Sequence, residues 1–369
     1  MTDGSSKSGG SGGSSGTSFA AQHSTPPRHS LKVAPTDGST KFNTIRIPLI
    51  PVACWRLNDP AFAFDSSFVS PSFRAELGTL SGIVGANKDC PAALFGHCDP
   101  AGSDPLNKTL GDRRAIAVYG LLTRQPDLWA YLHDNPQVGD TWDLRMTQTM
   151  LASVEDAQSQ PYYDGALDGR TGPKTQDAVK RFQGDAGLAA DGDPGNATRK
   201  PLFGAYMDWL CSAYAPSPES ATPPFRMQVT DFLGGAGAQA GDLPKQSLQS
   251  CGKFNPLVLL TSSEMNESDT TSRNSNDAPN RRVIMFFFAP GTRVDPAMWP
   301  CPQVTQPNDA CKSAFWPDGD TRRKNSDTLR LYSETRDTMA CRFYDRFARR
   351  SPCEGSRLGP GIKDYPFSM

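Results

Sequence analysis

Residues 95–118 read FGHCDPAGSDPLNKTLGDRRAIAV, and the reading of this stretch decides the fold. Apolar residues from Ala92 to Phe95 indicate a strand that stops at Gly96. Asp99 then sits on a turn, and an amphipathic helix carries Asn107 and Arg114. Seven residues are close to two helical turns, so Asn107, Gly111 and Arg114 project from one side, with Gly111 leaving clearance between them. An acid and a base brought together in this way suit a ligand bearing both an ammonium and a carboxylate. Arg fits the second task because its planar fork matches a carboxylate, whereas Lys offers a point charge.

Upstream, residues 61–67 (AFAFDSS) alternate at period two and run into a serine cap. Phe73, Leu77, Leu80 and Ile83 follow at helical spacing. The order is therefore strand, helix, strand, helix. Downstream stand the runs Cys251-Gly252-Lys253-Phe254-Asn255-Pro256 and Asn280-Arg281-Arg282-Val283-Ile284-Met285-Phe286. Gly96-His97, Asp99, Asn107, Leu110, Arg114 and Ala115 match in register the pattern Gly-His-Thr-Asp, Asn-x-x-Leu-Ser-x-x-Arg-Ala. In this the stretch resembles the C-terminal, peptidoglycan-associating domain of the OmpA family. The upstream Phe-x-Phe-Asp-Ser run and the downstream Asn-Arg-Arg-Val run extend the likeness. Cys98 stands for Thr and Gly111 for Ser; Gly111 weakens the helix by about 1 kcal/mol relative to Ala. The resemblance implies an α+β fold, a βαβαββ two-layer mixed sheet. It also implies that Asp99 takes the ammonium and Arg114 the carboxylate of diaminopimelate in the wall's stem peptide, with Asn107 holding the turn and the ligand backbone. The structural alternative is that Asp99 caps the turn and Arg114 pairs with Asp112 or Asp65.

Between the two halves lies a different signature. Tyr163 to Gly169, Gly172-Pro173-Lys174-Thr175, Ala178-Val179, Phe182-Gln183, Gly187-Leu188, Asp191-Gly192, Gly195 and Thr198 follow one another in an order with physical content. Asp-Gly pairs make tight turns, Thr175 lies near a helix start, and Ala178, Val179 and Phe182 share a buried face. This series resembles the small three-helix peptidoglycan-binding module found on cell-wall hydrolases, and implies a second, shallow site near Asp168, Gly169 and Thr175. The expected organisation is a Gly/Ser-rich leader (1–40), the OmpA-like domain in two parts (41–124 and 229–289) around an inserted helical domain (125–228), and a Cys/Trp/Arg-rich C-terminal extension (290–369). Surface loops tolerate such insertions because closure entropy grows only logarithmically with length.

The 369 residues carry 38 Lys and Arg against 39 Asp and Glu, so no global field attracts nucleic acid or an anionic bilayer. No transmembrane span is expected, the longest apolar run being Val283 to Ala289. No cationic start followed by an apolar segment is visible, so the expected location is the envelope or periplasm by resemblance, or a released particle. Nine cysteines leave disulfides, free thiols and metal open. Only His23, His29, His97 and His133 are available, with no His-Glu-x-x-His and no Gly-x-Ser-x-Gly, so no catalytic residue, metal or cofactor is expected. His97 reads as structural, and a Cys98/His97 nucleophile is disfavoured because adjacent strand residues face opposite ways. The expected function is non-catalytic peptidoglycan binding that anchors the protein or an assembly to the wall. Two alternatives stand: a wall hydrolase using C-terminal acids such as Glu334 and Asp337, and a component of a phage-tail-like or contractile injection assembly.

Overall fold

A computed structural model describes residues 31–33, 43–45, 49–57, 61–62, 65–99, 102–212, 223–257, 271, 275, 277–304, 341, 343–344, 348 and 353. Strands β1 (Leu31–Val33) and β2 (Asn43–Ile45) form a small antiparallel pair. The main sheet contains β3 (Pro51–Leu57), β4 (Ala92–His97), β5 (Leu248–Gly252) and β6 (Arg282–Phe288) in the order β3-β6-β4-β5. Strand β6 runs antiparallel to both β3 and β4, while β4 and β5 are parallel. The helices are α1 (Arg74–Ala86), α2 (Asp104–Thr123), α3 (Pro126–Asp134), α4 (Leu144–Ser153), α5 (Pro173–Asp185) and α6 (Asn196–Cys211). The chain is thus an α+β protein with a small mixed sheet, whose strands come from both sides of the helical stretch.

Every residue of β6 is buried, because both faces of the sheet are covered. Trp55, Leu57, Leu94, Leu248, Met285 and Phe287 belong to the core shared with α1 and α2. The alternate residues Cys54, Phe95, Ile284, Phe286 and Phe288 pack against Trp299, Phe343 and Tyr344 of the C-terminal region. A Cys54–Cys353 disulfide staples that cover to β3. A strand covered on both sides reads as a continuous apolar run, as Arg-Val-Ile-Met-Phe-Phe-Phe does.

Three expectations need correction. The first strand of the sheet is Pro51–Leu57, whereas among the described residues of 61–67 only Phe62 makes a β-bridge, to Val69. Asp65 adopts a left-handed backbone (φ 54°), which breaks the extended path suggested by the alternation. Strand β4 continues through Gly96 to His97 instead of stopping at Gly96. Helix α2 is not amphipathic but buried on every side from Gly111 to Thr123, wedged between the sheet and α3.

The helical stretch is joined to the sheet half through side chains, not through a tether. The Phe68 ring sits 6.2 Å from Trp129, 5.4 Å from Trp142 and 5.7 Å from Tyr206, and the Tyr206 hydroxyl donates to the Val69 carbonyl at 3.1 Å. Arg124, the left-handed cap of α2, bonds Asp208 at 2.6 Å and the Phe225 carbonyl at 2.9 Å. These rings belong to the same apolar core as Leu94 and Val118. Among the described residues no helix is long and apolar enough to cross a membrane.

Candidate functional site

Two regions hold the residues singled out by the sequence. The first gathers at the C-terminal end of β4. Arg114 is fully buried: Nε donates to the Ser66 carbonyl at 2.9 Å and Nη1 to the His97 carbonyl at 3.0 Å. Its guanidinium lies 5.3 Å from the centre of the Phe62 ring. Nη2 has no hydrogen-bond partner among the described residues, a costly state for a buried cationic donor. Asp99 is also buried and pairs with Arg281 Nη1 at 3.3 Å. The expected open acid–base pair of Asp99 and Arg114 is therefore corrected. Arg281, which lies just before β6, competes for Asp99, and Arg114 is sealed.

Asp65 completes the cluster. It is exposed, its side chain makes no hydrogen bond or ion pair among the described residues, and it lies within electrostatic reach of Asp99, Arg114, Asp140 and Arg281. Burial and then the Asp99 charge raise its carboxyl above the usual range, while Arg114 pulls the other way. The internal pairing of Arg114 with Asp112 does not occur. Asp112 is held by Lys108 at 2.5 and 2.6 Å, and burial pushes its carboxyl up to about 8 against the pull of that lysine.

Asn107 donates from Nδ2 to the Ser103 carbonyl at 3.2 Å, and its own carbonyl accepts from the Cys98 thiol at 3.3 Å. Gly111 leaves no clearance for a ligand. A Cβ there would collide with Ser250 Oγ, and one at Gly96 would collide with the Gly111 carbonyl, so the two glycines let α2 press onto β4 and β5. His97 is buried, bonded through Nδ1 to the Phe254 carbonyl at 3.1 Å, and held well below its ordinary pKa by burial and by Arg282. Burial pushes the Cys98 thiol up to about 12, which removes the thiolate that nucleophilic attack requires. The acids Glu334 and Asp337 lie outside the described residues. A cavity of about 20 Å³ lies on the side of the C-terminal cover, where Phe95, Lys108, Cys251 and Tyr344 are among its lining. It has room for about one water and touches none of Asp65, Asp99 or Arg114.

The second region is the turn that precedes α5. Asp168 and Gly169 are not presented as a free recognition surface, because the buried side chain of Gln148 on α4 stitches the turn together. Its Nε2 donates to Asp168 Oδ1 at 3.1 Å, the Arg170 carbonyl at 3.1 Å and Thr175 Oγ1 at 3.2 Å, while Oε1 accepts from Gly169 N at 2.8 Å. The same device recurs one helix later. Gln183 Nε2 reaches Asp191 Oδ1 at 2.6 Å, the Asp193 carbonyl at 3.1 Å and Thr198 Oγ1 at 2.8 Å, and Oε1 accepts from Gly192 N at 2.8 Å. Both turns read Asp-Gly-x-x-Gly-x-x-Thr, at 168–175 and at 191–198. This internal repeat is legible in the sequence, and in the structure each copy is held by one buried glutamine, Gln148 or Gln183. Thr175 is buried, so of the three residues proposed for this site only Asp168 is exposed. Backbone donors, first that of Arg170, and Gln148 hold the Asp168 carboxyl below the usual range.

Comparison with known families meets the chain at this second region. Residues 148–202 match the peptidoglycan binding domain family, a stretch that begins at Gln148 and includes both stitched turns. No curated protein matches the chain. The match supports binding to the cell wall, with peptidoglycan as the partner.

Proposed function

We propose that this is a non-catalytic peptidoglycan-binding protein that recognises the zwitterionic end of a diaminopimelate stem peptide at the charged cluster. The observation that carries wall binding is the family match over residues 148–202. The finer reading rests on Arg114, whose buried Nη2 is unused among the described residues, and on the likeness of residues 95–118 to the OmpA-like pattern. In this reading the ligand carboxylate satisfies Arg114, while Asp99 and the exposed Asp65 share the ammonium. Because Arg114 is sealed and Asp99 is held by Arg281, occupation requires that pair to loosen. Each charge-assisted hydrogen bond contributes about 1.5–3 kcal/mol net, so the affinity belongs in the micromolar to millimolar range. The helical stretch adds a second contact with the wall, and linkage raises the joint affinity through effective concentration.

The test is co-sedimentation with purified sacculi. Arg114→Lys keeps the charge and most of the stem but loses the fork, and Asp65→Asn changes one exposed atom. Each should weaken binding to diaminopimelate-containing walls by about tenfold, the loss of one charge-assisted contact. Walls built on Lys, which lack the extra carboxylate, should bind the native protein less well. Native binding by both variants would remove the cluster from the mechanism, and clearing of a sacculus suspension by the native protein would show a hydrolase.

A further inference from the structure

The turn between α3 and α4 comes from the helical stretch, yet it stands against the charged cluster. Gln137 and Asp140 exchange both backbone hydrogen bonds, at 3.2 and 3.0 Å, leaving Val138 and Gly139 at the tip. Gly139 has a φ of 83°, as the third position of a type II turn requires. A Cβ on it would lie 2.5 Å from Asp65 Oδ2, so the turn touches the exposed carboxylate of the cluster.

The turn is held with unusual firmness for a surface connection. Asp140 is 1% exposed, accepts from Ser67 N at 2.8 Å and from Ser67 Oγ at 2.5 Å, and pairs with Arg113 Nε. Arg113 also donates to the carbonyls of Asn135 and Leu132, both at 2.7 Å, and Trp142 Nε1 donates to Ser67 Oγ at 3.0 Å. Consecutive residues of α2 thus divide the work: Arg113 fixes the turn, and Arg114 sits in the cluster. At the tip of this rigid frame, Val138 is 82% exposed, against 45% or less for Leu106, Tyr131, Leu167 and Met298. Among the described residues its side chain belongs to neither apolar core. An apolar group fixed beside a site for a charged head is placed to meet the next, small apolar part of the same ligand.

We propose that the Val138–Gly139 tip is a wall of the charged site, and that Val138 contacts the γ-D-glutamyl and L-alanyl residues that the stem peptide carries beyond diaminopimelate. This rests on the reading of the cluster given above. In it, the helical stretch contributes to the sheet-side site directly as well as binding in its own right. The probes are free meso-diaminopimelate, too short to reach the tip, and the tripeptide L-alanyl-γ-D-glutamyl-meso-diaminopimelate, titrated calorimetrically into the full-length protein. Val138→Asp should weaken the tripeptide by about five- to tenfold, the loss expected for a partly buried Val contact, and leave free diaminopimelate unchanged. Asp65→Asn should weaken both. Native tripeptide affinity in Val138→Asp, or equal loss of both ligands, overturns the wall assignment while a loss in Asp65→Asn preserves the cluster. Native affinity for both ligands in Asp65→Asn, or no binding by the native protein, overturns the cluster and the wall with it.

Discussion

The stitched turns of the helical stretch and the charged cluster beside β4 solve opposite problems with buried polar groups. Gln148 and Gln183 use the capacity of their amides in full, and the carboxylates they hold, Asp168 and Asp191, are driven below the usual range by hydrogen bonds. Around β4 the shifts follow desolvation instead: Asp112 and Cys98 are pushed up and His97 down. Two donor or acceptor atoms there, Arg114 Nη2 and His97 Nε2, have no partner among the described residues. A satisfied network specifies a fold, whereas unused buried capacity is what a ligand can complete. The family match falls on the stitched turns and supports binding to the cell wall, yet the residues of their repeated pattern build the turn itself.

The sharpest change is at Asp140, which ties the α3–α4 turn of the helical stretch to Ser67 and to Arg113 of α2, beside the charged cluster. Asp140→Ala leaves the Arg113 guanidinium buried without its carboxylate and strips two hydrogen bonds from Ser67. Removing one member of a buried pair costs about 3–5 kcal/mol, so denaturant unfolding should show the largest loss of any single change considered. If the helical stretch and the sheet half are one cooperative unit, as their shared core indicates, the variant still unfolds in one transition. Two separated transitions would show that Asp140 is the main bond between them.

How much of this was legible in the sequence differs by region for a physical reason. The buried face of α5 and the strand at 282–288 were readable because periodicity records which residues face a core. The first strand was missed because alternation in 61–67 is a local signal, and a left-handed Asp65 overrides it. The Asp99–Arg281 pair joins residues 182 positions apart, and no local pattern encodes such a partner. Asn107 and Arg114 were correctly placed on one helix, but their surroundings were not. Gly111 looked like clearance for a ligand and is the point where α2 meets the sheet. Gln148 and Gln183 escape a local reading for another reason: the turn repeats as Asp-Gly-x-x-Gly-x-x-Thr, but the glutamine that holds it lies 20 residues before Asp168 in one copy and 8 before Asp191 in the other, so no fixed spacing points to it.

A smaller effect tests the satisfied network itself. Gln183→Leu fills much of the same volume but orphans Gly192 N and removes the amide donor to the buried Thr198 hydroxyl, which keeps its own bond to the Asp193 carbonyl at 2.9 Å. With an unsatisfied buried group costing about 1–3 kcal/mol, a loss of that size is expected, and Gln148→Leu should match it if the two turns are equivalent devices. A loss at only one position would show that the repeat is one of sequence and not of energetics.

The smallest expected effect, and the one that separates the two kinds of burial most cleanly, is the sign of the pH response. Asp168 and Asp191 have depressed carboxyls. Their contribution is present above the unfolded carboxylate range, near pH 4, and is lost as the pH falls through their folded values. Asp112 is raised from 3.8 to about 8, so the folded state binds a proton the unfolded chain has released. Its contribution is complete below 3.8 and is lost as the pH rises through about 8. Stability measured by denaturant titration should therefore decline as the pH rises from about 4 toward about 8, and decline also in acid below about 4. Asp112→Asn should flatten the decline between about 4 and 8 and leave the acid limb alone, while Asp168→Asn with Asp191→Asn should do the reverse. A native decline between about 4 and 8 in Asp112→Asn would mean that Lys108, in contact at 2.5 Å, keeps that carboxylate ionised, and that the buried charges around β4 are better compensated than their surroundings suggest.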